Sequence, residues 1–322
     1  MLKVGTFNLN NLFSRFNFQA TITDIQQGDS ALTVRYEFTD QANFRLRTFM
    51  GKLVKAKEKS RRDKVAGRIL DMDLDVLAVQ EVENIDILKE FNRVSLNGLY
   101  DHVSLIEGND PRLIDVGILS KLPIGAVTSF RTAVHPSDPA KPVFGRDLLE
   151  VEIMNRSRTM KLFTLYNNHL KSHFGDDDNG GQGKVANDDR RTKQADTVRR
   201  IVAQRMRSDA RYIITGDMND APDAPPLSSL LTIEGQVLLN GLADPAERGE
   251  QMKNEKPGEE PASRAWTHRF RPRGQPPEHK LFDQIWLSPG LAPAFTGGFI
   301  HRRRNLTGDG SDHDPAWVEL DL

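Results

Sequence analysis

The sequence predicts an α/β fold, and three observations lead to that prediction. Nine short apolar runs, each bounded by polar or turn-forming residues, recur along the chain and are typical of buried strands. Two segments between them repeat apolar residues at helical spacing. Each of these two helices leads into a strand that ends in an acidic motif, VLAVQE or YIITGD. This echo indicates two similar halves packed together.

The predicted elements are short strands and two amphipathic helices. One helix is predicted around 55–72, where Val65, Ile69 and Met72 share a face, and the other around 188–208. The predicted strands are KVGTFNL, VLAVQ, HVSLIEG, DVGILS, LLEVEI, LFTLYNN, YIITGD, FDQIWLS and AWVELDL. We expect one domain over residues 1–322, with insertions or mobile loops at 21–40, 174–189 and 245–263.

Composition excludes some classes of protein. The chain has 322 residues, 38% of them hydrophobic, which allows a large core. It has no cysteine, so disulfides and thiolate metal sites are excluded. The first residues do not resemble a signal peptide, and no run is long enough to span a membrane. We therefore expect a cytoplasmic protein without membrane insertion, with secretion by another route left open.

Charge is balanced globally but clustered locally. The chain carries 44 basic and 45 acidic side chains, so net charge names no partner. The segment 45–68 contains ten Lys or Arg residues and two acids, and Arg302–Arg304 form a second cluster. Either cluster could follow a phosphate backbone, although such a run is more often a solvated face.

Polar residues fall repeatedly at the ends of the predicted strands. In α/β proteins, strand ends gathered at one edge of a sheet are where sites are built. Taken singly, each of these residues is better read as a surface acid, a turn former or a structural histidine. Their combination in this order points to a site: Asn8, Asn10, Glu81, Asn168, His169, Asp217, Asn219, Asp283, Asp312 and His313.

The motifs that contain these residues resemble the endonuclease/exonuclease/phosphatase superfamily, which has the deoxyribonuclease-I-like fold. They are FNLN at 7–10, QE at 80–81, GRD at 145–147, NNH at 167–169, GDMN at 216–219, FDQIWLS at 282–288 and GSDH at 310–313. The motif style is most similar to predicted bacterial extracellular nucleases. The resemblance implies a four-layer α/β/β/α sandwich of two mixed β-sheets flanked by helices, with the site where the sheet edges meet.

The resemblance also implies a divalent cation, Mg²⁺ or Mn²⁺. A phosphodiester repels a nucleophile and gains charge in the transition state, and hard oxygen ligands that hold a cation offset that charge. Glu81 is the first candidate ligand. Asn8, Asn10 and Asp312 would complete or support the site.

Hydrolysis further requires a water that is aligned and deprotonated. By family correspondence Asp217 would activate the water, and Asn219 would orient the water or the phosphate. His313 would contact the phosphate or transfer a proton, and Asp283 would fix the tautomer of His313 through a hydrogen bond. The expected reaction is in-line attack by water without a covalent intermediate.

Four further positions complete the prediction. His169 and Arg146 would hold non-bridging phosphate oxygens, although Arg146 could instead form a structural ion pair with the neighbouring Asp147. Asn168 would support His169, within a substrate-binding group that also includes Lys171. Lys171 is a candidate phosphate contact and nearly as plausibly a solvated lysine.

The leading hypothesis is a nuclease acting on DNA, RNA or both. The first alternative is a phosphatase or sphingomyelinase-like phosphodiesterase acting on a small or lipid phosphoester. A non-catalytic nucleic-acid-binding module is a weaker alternative, because Glu81, Asp217 and His313 are all present. Pro142-Val143-Phe144 stands where the apurinic endonucleases carry a tyrosine, which disfavours abasic-site repair. The sequence indicates no protein partner.

Overall fold

The structure is a computed structural model that describes residues 1–13, 20–27, 32–38, 57–176, 181–207, 209–249, 255–272 and 274–322. In chain order the strands are β1 (Leu2–Leu12), β2 (Ala20–Gln27), β3 (Leu32–Phe38), β4 (Val76–Val82), β5 (His102–Leu105), β6 (Asp115–Ser120), β7 (Ile124–Ser129), β8 (Val134–His135), β9 (Asp138–Pro142), β10 (Leu148–Met154), β11 (Lys161–His169), β12 (Tyr212–Asp217), β13 (Thr232–Ile233), β14 (Gln236–Val237), β15 (Leu239–Asn240), β16 (Ala246–Gly249), β17 (His268–Phe270), β18 (Glu278–Lys280), β19 (Asp283–Leu287), β20 (Phe295–Arg302) and β21 (Ala316–Leu320).

The helices are α1 (Lys59–Met72), α2 (Ile85–Ser95) and α3 (Gln182–Arg205), with shorter 3-10 helices at Pro225–Leu231 and Ala292–Ala294. The two predicted helices are confirmed as α1 and α3. α2 was not predicted from the sequence. Asn84 is its N-cap residue, because the Asn84 side chain accepts a hydrogen bond from the Ile87 amide at 3.0 Å. No helix in the described part of the chain is both long and apolar enough to cross a bilayer.

Two mixed sheets form the centre of the fold. The first has the strand order β16-β20-β21-β1-β4-β6-β5, and the second has the order β15-β19-β12-β11-β10-β7. Each contains a parallel pair joined through a helix: β1 and β4 through α1, and β11 and β12 through α3. This arrangement agrees with the two similar halves that the sequence indicated.

Three apolar cores hold the layers together. One lies between the sheets, with side chains such as Val76 from the first sheet and Ile285 from the second. A second packs α1 and α2 on the outer face of the first sheet. A third packs α3 and the 3-10 helix at Pro225–Leu231 on the outer face of the second. The predicted four-layer α/β/β/α sandwich is therefore confirmed.

The expected loops differ from the structure in two places. α3 begins at Gln182, so the second half of the predicted loop 174–189 is helical, and this part of the prediction is wrong. Pairs spaced four residues apart, Lys184–Asp188 and Asp189–Lys193, support the first turns of α3 despite the glycines before them. Within 245–263, residues 246–249 form β16 at the edge of the first sheet.

The expected insertion at 21–40 contains most of β2 and all of β3, which pair antiparallel. Residues 28–31 between these two strands lie outside the described residues, as do residues 45–56 of the first basic cluster. Whether these segments act as insertions or mobile loops within a single domain stays a prediction.

Candidate active site

Strand register brings three of the predicted side chains into one row. In the second sheet His169 of β11 lies opposite Asp217 of β12, and Asp217 lies opposite Asp283 of β19. The close approach of β11 and β12 depends on Gly216, which has φ 126° and whose added Cβ would stand 2.0 Å from the Asn168 carbonyl oxygen. The glycine of the GDMN motif is therefore required by the backbone conformation, while the side chain of the aspartate after it lies in the candidate site.

A buried polar network joins the two sheets beneath this row. The Gln80 amide of β4 donates to Asn167 Oδ1 at 2.7 Å, and Asn167 Nδ2 donates to the carbonyls of Val79 and Gly117. Each residue directly precedes a candidate site residue, Glu81 or Asn168. The network therefore fixes the two strand ends relative to each other.

The first sheet contributes Asn8, Asn10 and Glu81. Asn8 Nδ2 donates to Asp217 Oδ2 at 2.8 Å, which ties the two halves together at the site. Asn10 and Glu81 have φ values of 47° and 61°, and Asn219 in the second half has φ 53°. Left-handed backbone at non-glycine residues costs free energy and clusters at functional sites.

The charges of Asp312 and Asp217 act on Glu81 at this edge. Glu81 Oε2 accepts from the Asn11 amide at 2.9 Å, and Asp312 Oδ1 accepts from Asn10 Nδ2. Burial raises the pKa of Glu81, and the nearby charges of Asp312 and Asp217 raise it further. Oxygen donors crowded together in this way fit a hard divalent cation, which would relieve their mutual repulsion. The metal-ligand roles of Glu81, Asn8, Asn10 and Asp312 stay a prediction.

Asp217 lies at the centre of the constellation. Its Oδ1 accepts from the Asn219 amide at 2.9 Å, and its Oδ2 is 3.5 Å from His169 Nε2 and 3.9 Å from His313 Nε2. Burial raises the pKa of Asp217, against the attraction of the His313 cation. Asn219 is anchored in turn, because its Nδ2 donates to the Leu170 carbonyl at 3.1 Å.

His313 is held as a cation by the carboxylates around it. Its Nδ1 is 2.6 Å from Asp283 Oδ2, the contact that the sequence predicted. Burial alone would lower the pKa of His313, but Asp283 and Asp217 outweigh burial and raise it to about 10. Ser311 fixes the loop, since its hydroxyl donates to the Asn8 carbonyl and accepts from the His313 amide.

His169 and Arg146 lie on the opposite side of Asp217 from Asp283. Burial lowers the pKa of His169 well below its usual value, and Arg146 lowers it further, so His169 is neutral. Arg146 donates to the Leu170 carbonyl at 3.2 Å, and its Nε is 3.2 Å from Asp110. The alternative pairing with Asp147 is not found, because Asp147 accepts from the Phe130 amide instead.

Two predicted substrate contacts have different outcomes. Lys171 lies beside the site, where its Nζ donates to the carbonyls of Ser172 and Phe174. Asn168 is fully buried, and its Nδ2 faces the carbonyls of Tyr166 and Thr215 at 3.4 Å. Side chains alternate along a strand, so Asn168 points to the opposite face from His169 and does not enter the site. Its predicted substrate role is wrong.

Sequence reasoning missed His268 and Lys57. His268 Nε2 is 3.8 Å from Asp312 Oδ2, and its ring stacks on Phe282 at 4.9 Å. Ligand atoms of His268, Asp312 and His313 lie within 4.8 Å of one another, an arrangement that could hold a metal ion only if His313 gave up its Nε2 proton. Lys57 Nζ donates to the Asn10 carbonyl at 2.6 Å. Neither residue follows a predicted strand, so only the tertiary fold reveals them.

The Arg302–Arg304 cluster is largely structural. Arg302 and Arg303 are buried and pair with Asp314 at 3.3 and 3.0 Å. Trp266 lies under both guanidinium groups. The possibility that these two residues follow a phosphate backbone is therefore wrong, because both guanidinium groups are buried and paired with Asp314.

Comparison with known families identifies the class. The model described as the Endonuclease/Exonuclease/phosphatase family matches residues 5–313. The chain belongs to this family, whose members are phosphoesterase hydrolases that generally use divalent metals. No curated protein matches the chain.

Solved structures agree with this family at low sequence identity. A mannosyl-6-phosphatase from Bacteroides thetaiotaomicron is 16% identical, with 100% of both chains covered and a TM-score of 0.57. An AP endonuclease from Archaeoglobus fulgidus is 16% identical, with 100% of both chains covered and a TM-score of 0.55. A 3′ phosphatase from Neisseria, bound to a product DNA hairpin, is 15% identical, with 100% of both chains covered and a TM-score of 0.54. At these identities the likeness shows the fold.

Proposed function

We propose that this protein is a divalent-metal-dependent phosphoesterase that hydrolyses phosphodiesters of nucleic acid by direct attack of water. The position of Asp217 carries the proposal. Its carboxylate lies within 4 Å of two imidazoles, of which His169 is neutral and His313 is positively charged. A base is thus placed between a neutral and a cationic donor, which suits the attack of water on a phosphate.

Asp217 and His313 have different roles in proton transfer. Asp217 takes a proton from the attacking water, and its raised pKa makes it a stronger base than an exposed aspartate. Asn219 and Asn8 hold the two carboxylate oxygens in place. His313 presents a charged Nε2–H to the phosphate or to the leaving oxygen, while Asp283 keeps its Nδ1 protonated. Neutral His169 donates from Nε2 to a non-bridging oxygen.

Glu81 and Asp312 would hold the cation, with Asn8 and Asn10 beside them. A bound Mg²⁺ or Mn²⁺ would neutralise phosphate charge in the ground state and in the transition state. Burial raises the pKa of Glu81 and the charge of Asp312 raises it further, which supports this assignment because a bound cation would offset both. Arg146 adds a fixed positive charge that interacts with Glu81 and Asp217.

Hydrolysis of a small phosphoester is the second candidate. It uses the same residues, and the burial of Arg302 and Arg303 favours it, because one of the two basic clusters is unavailable to a polymer. The likeness to a mannosyl-6-phosphatase is compatible with it. A purely binding role is less well supported, because the site retains a base, an acid and a set of metal ligands.

The proposal is tested with purified protein and a panel of phosphate esters. Supercoiled plasmid, linear duplex, single-stranded DNA and RNA, sphingomyelin and small mono- and diesters are each incubated with Mg²⁺, Mn²⁺ or EDTA. Cleavage of nucleic acid that EDTA abolishes is the expected result. Cleavage of small esters alone would support the proposed metal-dependent hydrolysis but would rule out nucleic acid as the substrate. Inactivity toward every ester would overturn the proposal.

A further inference from the structure

We infer that a groove beside the site binds a second phosphate, so that the substrate is a strand with at least two phosphates. The groove has a volume of about 320 Å³ and is lined by residues that include Lys141, Lys171, Arg190 and Lys193. That volume is at the small end of ligand sites, about 300–1,000 Å³. The inference rests on the proposed function, since it concerns the substrate of the same site.

Two cationic side chains of the groove have no carboxylate partner among the described residues. Its two acids are already paired, Asp138 with Lys141 at 3.2 Å and Asp189 with Lys193 at 2.6 Å. Arg190 is exposed, and no carboxylate of the described residues pairs with it. A groove with unbalanced positive charge attracts an anion.

Lys171 provides the second free cation and connects the groove to the site. Its Nζ donates only to backbone carbonyls among the contacts of the described chain. Burial, together with the positive charges of Arg146 and Arg191, lowers the pKa of Lys171 to about 8. This unfavourable crowding of cations would be relieved by a bound phosphate.

Helix α3 contacts both Lys171 and the segment that precedes Arg146. Gln194 accepts from the Lys171 amide at 2.8 Å, and Arg191 donates to the Lys171 carbonyl at 3.0 Å. Arg190 is next to Arg191, and its Nη2 is 3.4 Å from where a Cβ on Gly145 would stand. Gly145 directly precedes Arg146. The groove therefore adjoins the proposed phosphate contacts His169 and Arg146, where the neighbouring phosphate of a strand would lie.

The test compares a dinucleotide that has one phosphodiester with a trinucleotide that has two. For the wild-type protein with Mn²⁺ or Mg²⁺, we expect kcat/KM to be about 10-fold higher for the trinucleotide, the factor that corresponds to one charge-assisted contact. Arg190→Gln should bring this ratio close to one. Arg200→Gln, an exposed arginine on the same helix that does not line the groove, should leave the ratio unchanged.

A binding measurement complements the kinetics. In EDTA, the affinity for a fluorescent oligonucleotide should fall with salt, and Arg190→Gln should reduce the log–log slope by about 0.7–0.9, the loss of one phosphate contact. A wild-type ratio near one, or an Arg200→Gln effect equal to that of Arg190→Gln, would overturn the inference while phosphoester hydrolysis stands. If no phosphoester is hydrolysed, the proposed function fails as well.

Discussion

At the scale of single residues, two histidines of the candidate site differ in charge because their surroundings differ. His169 and His313 both face Asp217, yet His169 is neutral and His313 is charged. Burial disfavours the cation in both, but only His313 has a second carboxylate, Asp283, on its other nitrogen. One histidine is therefore suited to hold phosphate and the other to supply a proton.

Glu81→Gln should raise the metal concentration needed for half-maximal activity by about 10- to 100-fold, since it removes the charge of a proposed ligand. The amide is nearly the same size and carries no charge, so it avoids the burial and the repulsion that raise the pKa of Glu81, and folding should persist. Metal titration of activity gives the measurement. Glu234→Gln, an exposed glutamate in a turn, is the matched control, and an equal metal requirement in the two variants would remove Glu81 from the ligand set.

Asp115→Asn should make the protein more stable at neutral pH. Burial raises the pKa of Asp115 to about 7, so the folded state binds more protons than the unfolded state above pH 4. Stability from this group is complete below the unfolded pKa and is lost as the pH rises toward 7. The asparagine can still accept the Gly108 amide.

The difference in unfolding free energy between variant and wild type should therefore increase by on the order of 1–3 kcal/mol between pH 4.5 and pH 8. Urea unfolding at both pH values measures it. Asp101→Asn, at an exposed position, should show no such trend. A difference independent of pH would contradict the buried, protonated state of Asp115.

At the scale of elements, an ionic cluster attaches the loop of the GSDH motif to its neighbours. Buried Asp314 accepts from Arg68 of α1 at 2.8 Å, and it also pairs with Arg302 and Arg303. Arg68 donates in addition to the His313 carbonyl. Burial alone would raise the pKa of Asp314, but the three arginines lower it. The arginines at 302 and 303 thus position the loop of the GSDH motif.

Asp314→Ala should destabilise the fold by about 3–5 kcal/mol, because it leaves buried arginines without their partner. Denaturant unfolding of the variant gives the value, and Asp321→Ala at the exposed end of the chain serves as the control. Equal stability of the two variants would mean that water or other groups satisfy the arginines.

At the scale of the whole molecule, strand-end polar residues were sufficient to predict most of the site. Their positions followed from apolar runs of recognisable length, so β1, β4, β11, β12 and β19 could be placed before the structure was known. β20 was missed because two glycines interrupt its apolar pattern. His268 was missed because its contact with Asp312 comes from a bridge to His313 that no local pattern encodes.

The direction of a side chain was also beyond the sequence in one case. Asn168 and His169 are adjacent in the NNH motif, and only the pleat of β11 decides which of them faces the site. The burial of Arg302 and Arg303 depended on tertiary pairing with Asp314 in the same way. Linear motifs predicted the candidate residues, whereas packing decides which of them face the candidate site.

The proposed function requires Asp217 and His313 to carry out metal-dependent hydrolysis of phosphate esters. Its most direct measurement is the turnover of Asp217→Asn and His313→Ala on the best ester of the panel, beside Asp223→Asn as an exposed control. Loss of general acid–base catalysis predicts a fall of about 10²–10⁴-fold in both site variants, with wild-type circular dichroism and an unaffected control. Wild-type turnover in either folded site variant would contradict the account.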